Sequence, residues 1–150
     1  HPRGYTFLFR RKKFIKSRNF QENQTMIFGI GTDIVKISRI QEMKSLSRFA
    51  DKILSTEEHK IASSYKDEKL IKFLAKQFAG KEAISKAFGT GIRKPILFKD
   101  IEILRDENGK PLLNPLGGVK KTMINLGISK SHVSLADEND YAIAFAILEL

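Results

Sequence analysis

The chain has 150 residues, of which 41% are apolar, so it is long enough to fold as one domain around its own core. It contains no cysteine, which excludes disulfides, thiolate metal sites and thiol catalysis. The longest apolar run, residues 141–148, is less than half as long as a membrane span requires, and we therefore expect a soluble protein with no membrane partner.

The net charge of +10 is unevenly distributed. Residues 1–25 hold seven of the 27 Lys and Arg and one of the 17 Asp and Glu, a net of +6, which leaves +4 for residues 26–150. A basic RNA- or DNA-binding module is an alternative function, and aromatic side chains exposed on a sheet would distinguish it. Most Phe residues after Met26 occupy helical or alternating apolar positions, which favours a core role and no nucleic-acid partner.

The first 25 residues begin with His and combine scattered aromatics with a basic cluster, without a sustained period. We expect residues 1–25 to be a disordered N-terminal extension and residues 26–150 to form a single domain that starts at Met26. An import presequence and a vector-derived or upstream-translated segment are both open origins for the extension.

After Met26, residues 27–31 are apolar and glycine-spaced, which predicts a short buried strand that ends near Thr32 and Asp33. Asp33 is thus a carboxylate at the end of an apolar strand, a place where ligands are often bound. A turn or N-cap role for Asp33 is the alternative.

Two capping-box patterns follow. Ser38 with Gln41 predicts a helix that begins near Ser38, and Ser55 with Glu58 predicts a second short helix.

Residues 67–88 form the strongest helix candidate, because apolar residues occur nearly all round the wheel. Glu82 falls between Phe78 and Ala75 on that wheel, so a carboxylate lies on an apolar face. An ionised group there needs a cation, either a metal ion or Lys86 one turn later, and an ordinary Glu82–Lys86 pair is the alternative to a functional site.

Gly89, Thr90 and Gly91 form a short glycine-rich loop with Arg93 and Lys94 close behind. Backbone N–H groups and positive side chains could converge on a phosphate here. The loop lacks the length and the following helix of a Walker motif, and Gly89 as a helix C-cap is the competing interpretation.

The remaining pattern predicts a strand over residues 96–104, a tight reversal at 106–109 and a helix over 116–126. Residues 132–135 and 141–148 flank a polar turn and predict an antiparallel hairpin. Strands separated by helices but closed by a hairpin favour an α+β fold.

Taken together, four segments resemble the holo-acyl carrier protein synthases, the small 4'-phosphopantetheinyl transferases. They are GIGTDIV at 29–35, FLAKQFAGKEAISKAFGTGI at 73–92, GKP at 109–111 and HVSLADENDYAIAFAILE at 132–149. The order is maintained over essentially all of residues 26–150. The resemblance implies a small antiparallel sheet packed on a long central helix, a homotrimer, and a cytoplasmic enzyme of fatty acid biosynthesis.

The resemblance also implies the chemistry. Asp33 and Glu82 would hold Mg²⁺, and Lys86 would contact the same coenzyme A diphosphate. The cofactor-binding set would comprise Phe78, Ser85, Lys86, Gly89, Thr90, Gly91, Gly109 and Pro111, the last two near the adenine. A serine of apo-acyl carrier protein would attack the β-phosphorus, and adenosine 3',5'-bisphosphate would leave.

Carrier proteins are acidic, so a basic docking face is expected. The resemblance implies docking through the helix predicted from Ser38, with Arg39, Met43 and Arg48 as contacts and Lys44 and Lys52 adding charge. A solvated charged helix is the alternative, and a carrier from polyketide or peptide synthesis is an alternative partner.

The sequence departs from the family at two positions. Gln77 stands where many members have Arg, and Asp137 where some have a second His. We interpret His132 as a hydrogen-bonded strand residue and His59 as an exposed helix residue rather than catalytic groups.

Overall fold

The structure is a computed structural model that describes residues 26–150. The expectations for residues 1–25 fall outside this range. The elements in chain order are β1 (Ile27–Lys36), α1 (Ile37–Gln41), α2 (Leu46–Ile53), α3 (Thr56–Ala62), α4 (Asp67–Ala87), a 3-10 turn (Phe98–Asp100), β2 (Ile101–Arg105), β3 (Pro111–Pro115), α5 (Gly117–Leu126), β4 (Lys130–Asp137) and β5 (Tyr141–Glu149).

Two small antiparallel sheets and the long helix α4 organise the described residues. The first sheet has the order β1-β5-β4, and the second is the hairpin β2-β3. The α+β fold with a small antiparallel sheet on a central helix is thereby confirmed.

Small residues line the surface between α4 and the first sheet. Ala142, Ala144 and Ala146 on β5 are buried, as are Ala79 and Ala83 on α4. Because the side chain of alanine is only a methyl group, the helix and the sheet can approach each other closely.

Two glycines on β1 bring it against the helix backbone itself. A Cβ atom built on Gly31 would lie 1.8 Å from the Ala83 carbonyl oxygen, and one on Gly29 would lie 2.0 Å from that of Ala87. Both positions therefore require glycine, and β1 is held at a fixed distance from α4.

The opposite face of the first sheet is apolar and exposed. Ile30 and Ile34 on β1 are 60% and 62% exposed, and Ile143 and Phe145 on β5 are 45% and 44% exposed. The partly exposed aromatics Tyr141 and Phe145 do lie on this sheet, and Tyr141 is paired with Lys36, but isoleucines make up most of the exposed face rather than the row of basic residues of a base-stacking platform.

Two sequence expectations about the first sixty residues are wrong in detail. β1 does not end near Asp33 but continues to Lys36, because β5 pairs with it throughout. The predicted helix from Ser38 is split into α1 and α2, and Ser38 does not cap it. The Ile37 N–H donates instead to the Asp140 carbonyl at 2.8 Å, so a tertiary contact sets the helix start.

The other expectations hold more closely. The Ser55–Glu58 capping box is present, α4 and α5 match their predicted ranges, and β4 and β5 form the closing hairpin. The strand predicted over 96–104 is a 3-10 turn followed by β2, so its regular part begins only at Ile101. No helix of residues 26–150 is long and apolar enough to cross a membrane.

Candidate active site

The close approach of β1 to α4 brings Asp33 to Lys86. Lys86 Nζ donates to Asp33 Oδ1 at 3.0 Å and to the Thr32 carbonyl at 3.0 Å. Asp33 is opposite Ala144 in the register and so points to the helix side of the sheet. Its side chain is 17% exposed and that of Lys86 is 50% exposed, so this ion pair lies at the rim and can be reached by a ligand.

Glu82 is one turn before Lys86 and completes a group of three charges. Burial is the main reason that the pKa of Glu82 is raised above its usual value, and the Asp33 carboxylate adds to the rise. The cations Lys86 and Lys52 act in the opposite direction. The two predicted carboxylates are therefore near enough to repel each other, although Lys86 pairs with Asp33 rather than with Glu82 as a simple helix pair would require.

This donor set fits Mg²⁺. The two carboxylates repel each other, and a bound cation would relieve that repulsion. Mg²⁺ usually takes one or two carboxylates together with phosphate oxygens and water. Among residues 26–150, no cluster of three or more His, Cys, Asp or Glu could hold a metal ion by itself. Water or the oxygens of a bound ligand would have to complete the coordination of a metal ion here.

A cleft of about 790 Å³ adjoins Glu82. Its walls come from α2, α4 and the segment around the 3-10 turn, and they comprise Lys52, Phe78, Glu82, Ile92, Leu97, Phe98, Lys99 and Asp100. Phe78 packs against Phe98 with ring centroids 5.7 Å apart. The cleft thus combines an apolar floor with cations at its edge, which suits a ligand with an uncharged arm and an anionic group.

The glycine-rich loop does not offer its backbone to a phosphate in the way the sequence suggested. The N–H groups of Thr90 and Gly91 both donate to the Ser85 carbonyl, and the N–H of Gly89 donates to the Lys86 carbonyl. Gly89 has φ +81° and ends α4, so the C-cap interpretation is confirmed. The Thr90 hydroxyl donates to the Gly91 carbonyl at 2.8 Å. The phosphate-binding role of residues 89–91 stays a prediction.

Three other predicted cofactor residues occupy two contrasting places. Ser85 is fully buried, and its hydroxyl donates to the Glu82 carbonyl at 2.7 Å. Gly109 and Pro111 lie in the β2-β3 hairpin, whose turn is held by Asp106 Oδ1 accepting from the N–H groups of Asn108 and Lys110. Their roles stay predictions.

Sequence reasoning missed a buried polar cluster on α4. Lys81, not Glu82, is the fully buried charge, and its Nζ lies 2.6 Å from Glu58 Oε1, which is also fully buried. The other Glu58 oxygen accepts from Gln77 Nε2 and from the Ile103 N–H. Gln77 is therefore occupied inside the protein rather than available to a phosphate. The capping box was the only signal for Glu58, and it gave no hint of Lys81.

Comparison with known proteins now decides the family. Residues 29–146 match the family model described as the 4'-phosphopantetheinyl transferase superfamily. The chain belongs to this superfamily. A holo-[acyl-carrier-protein] synthase of Blochmanniella pennsylvanica is 47% identical over 127 residues, which cover 83% of this chain and 99% of that protein.

Solved transferase structures agree with the fold. The holo-[acyl-carrier-protein] synthase of Neisseria meningitidis superposes with a TM-score of 0.78 at 41% identity, covering 83% of this chain and all of that one. The Bacillus anthracis enzyme, in complex with CoA (3',5'-ADP), gives a TM-score of 0.72 at 39% identity, covering 83% and 97%.

The docking residues expected of such a transferase fall on α1, on α2 and on the link between them. Arg39 on α1 and Arg48 on α2 are exposed, and Met43 between them is partly buried against the core. Lys52 lies one turn after Arg48 on α2 and lines the cleft beside Glu82, so these two cations share a face of α2 that reaches the candidate active site.

Both histidines within residues 26–150 have a carboxylate partner. His132 Nε2 lies 2.8 Å from Glu149 Oε2, and His59 Nε2 lies 3.4 Å from Asp51. Asp137, at the departure from the family pattern, pairs with Lys76 at 3.2 Å.

Proposed function

We propose that this chain transfers the 4'-phosphopantetheine group from coenzyme A to a serine of apo-acyl carrier protein, releasing adenosine 3',5'-bisphosphate, in cytoplasmic fatty acid biosynthesis. The observation that carries the proposal is the convergence of Asp33 from β1 with Glu82 and Lys86 from α4. The synthase relatives and the coenzyme A complex of one of them support it.

The acidic, basic and apolar residues of the site would have different roles. Asp33 and Glu82 would hold Mg²⁺, which when bound supplies positive charge beside the diphosphate oxygens. The partly exposed Lys86 ammonium would contact the same diphosphate and help to neutralise charge on the leaving bisphosphate. The apolar floor around Phe78 would exclude water from the attacked phosphorus.

The carrier would dock on the basic surface of Arg39, Met43 and Arg48. An acidic carrier helix complements these exposed cations, and electrostatic complementarity mainly raises the association rate. Because α2 also carries Lys52 into the cleft, a carrier seated there would deliver its serine toward Glu82.

We also propose a homotrimer built on the exposed face of the first sheet. An apolar face with Ile30, Ile34, Ile143 and Phe145 exposed is typical of a surface that another subunit covers. Ile34→Asp should lower the mass measured by light scattering to that of the monomer, whereas Leu112→Asp on β3 should leave it unchanged. An unaltered mass in Ile34→Asp would place the subunit contact elsewhere.

The decisive test mixes the protein with Mg²⁺, coenzyme A and apo-acyl carrier protein and follows the pantetheine adduct by mass spectrometry. Asp33→Ala or Glu82→Ala should slow adduct formation about 10³-fold, since both remove charge at the reacting diphosphate. Glu57→Ala, an exposed carboxylate paired with Lys60, is the matched control and should retain full activity.

Carriers from polyketide and peptide synthesis, tested in parallel, identify the preferred partner. Full activity in both Asp33→Ala and Glu82→Ala would discard the metal site, and no adduct from the wild type with any carrier would discard the function.

A further inference from the structure

The buried Lys81 ammonium joins every wall of the cleft that contains Glu82. Its Nζ donates to the Ile53 carbonyl at 2.6 Å, to Glu58 Oε1 at 2.6 Å and to the Phe98 carbonyl at 2.9 Å. These three acceptors use all three protons of an ammonium group. Lys81 therefore has no capacity left for a ligand, and its role must be exercised through the groups it holds.

The two carbonyl acceptors, and Lys81 itself, belong to or directly adjoin residues that line the cleft. Ile53 is the last residue of α2 and follows Lys52, Phe98 is itself a cleft residue, and Lys81 precedes Glu82 on α4. One charged group thus fixes the end of α2, the 3-10 turn and the helix that bears Glu82 relative to one another.

The Glu58 carboxylate extends the same bracing to the second sheet. It accepts from the Ser55 N–H at 2.8 Å, at the start of α3, and from the Ile103 N–H at 3.3 Å on β2. Ser55 in turn donates from its hydroxyl to Glu102 at 2.6 Å. Among residues 26–150, no buried side-chain nitrogen or oxygen lacks a hydrogen-bond partner, so the cluster is complete.

We propose that Lys81, paired with Glu58, is a positioning residue of the transfer reaction that sets the geometry of the cleft between the docking helix α2 and Glu82. The inference rests on the proposed function for its reaction but on the hydrogen bonds for its mechanism. Small misplacement of reacting groups can lower a rate about 100-fold, so the effect should be measurable.

The experiment separates positioning from stability by a pair of variants. Lys81→Met leaves the Glu58 charge buried and unpaired, whereas Lys81→Met combined with Glu58→Gln removes that charge and should recover most of the melting temperature. The double variant still lacks the bond from α4 to Ile53 and Phe98. When transfer is measured well below the melting temperature, kcat/KM of the double variant should be about 30- to 100-fold lower than that of the wild type.

Met123→Ala, a buried change on α5 outside the cleft, is the control for general destabilisation and should lower kcat/KM less than threefold. Hydrogen exchange provides a readout that does not depend on activity. Amides of residues 53–54 and 98–100 should exchange faster in the double variant than in Met123→Ala.

A double variant with wild-type kcat/KM, or with unchanged exchange at these amides, would overturn the positioning role. Inactive wild-type enzyme would instead overturn the proposed function, while the exchange comparison would still report whether Lys81 holds the cleft walls.

Discussion

Two of the lysine–carboxylate pairs on helix α4, those of Lys81 and Lys86, differ in almost every respect. Lys81 and Glu58 are completely buried at 2.6 Å, and burial lowers the pKa of Lys81 while the Glu58 charge opposes that shift. Lys86 and Asp33 lie at the rim at 3.0 Å, with side chains 50% and 17% exposed.

The difference shows how one helix supports both structure and chemistry. The buried pair has its hydrogen-bonding capacity filled by the protein, so it can brace neighbouring elements but cannot bind a substrate. The rim pair retains exposed polar atoms and has a second carboxylate, Glu82, beside it, so it can exchange protein contacts for contacts with an ion or a phosphate.

Lys81→Met should have the largest effect on stability, because it leaves the Glu58 carboxylate buried without a counter-charge. We expect a loss of about 3–5 kcal/mol in the free energy of unfolding, measured by urea denaturation. A loss below about 1 kcal/mol would mean that water reaches Glu58 and that the two pairs are less different than their burial indicates.

Gly31→Ala tests the close packing on which the rim pair depends. A methyl group at this position would collide with the Ala83 carbonyl, so we expect a loss of roughly 2–3 kcal/mol and a displaced Asp33.

Gly127→Ala, at the end of α5, is the matched control, since its added Cβ meets no atom within 4 Å but its φ is +73°. It should cost about 1–2 kcal/mol from backbone strain alone. Equal transfer activity in the two variants would contradict the importance of the β1–α4 distance.

Lys86→Met should change stability by only about 0–1 kcal/mol, as expected for a partly exposed ion pair. Transfer activity should nevertheless fall about 100-fold, because the lost ammonium faces the proposed diphosphate. Lys86→Met should therefore lose much activity and little stability, whereas the loss of stability is the larger effect expected for Lys81→Met. A variant that loses stability but retains activity would rule out the proposed phosphate contact.

The smallest effect concerns pH and Glu82. Folding raises the pKa of this carboxyl, so the folded protein holds the proton more tightly than the unfolded chain does. The contribution of Glu82 to stability is therefore favourable at low pH and is lost as pH rises from about 4.5 through the raised pKa. In metal-free buffer, wild type should lose stability relative to Glu82→Gln across this interval, and parallel pH profiles would contradict the shift.

Much of the fold could be predicted because its signals are local. The length of α4, the Ser55–Glu58 box and the polar turn before β5 each depend on neighbouring residues only. The start of α1 could not be predicted in this way, since the Ile37 N–H finds its acceptor at Asp140, about a hundred residues later.

The candidate site was predicted in part. The family resemblance selected Asp33, Glu82 and Lys86, and the structure brings these charges together. The helix wheel, however, assigned burial to Glu82 rather than Lys81. Since α4 is packed on several sides, its apolar pattern gives no single direction, and Lys81 is buried only because carbonyls from α2 and the 3-10 turn converge on it.

The glycine positions on β1 also limit how the enzyme could adapt to different carriers. With Gly29 and Gly31 in contact with helix carbonyls, the strand and α4 must move as one block, and the acidic pair travels with it. Under the proposed docking through Arg39, Met43 and Arg48, accommodation of an unfamiliar carrier would fall to α1, α2 and the link between them. Efforts to alter carrier preference should accordingly randomise residues 39–52 and leave the β1–α4 block untouched.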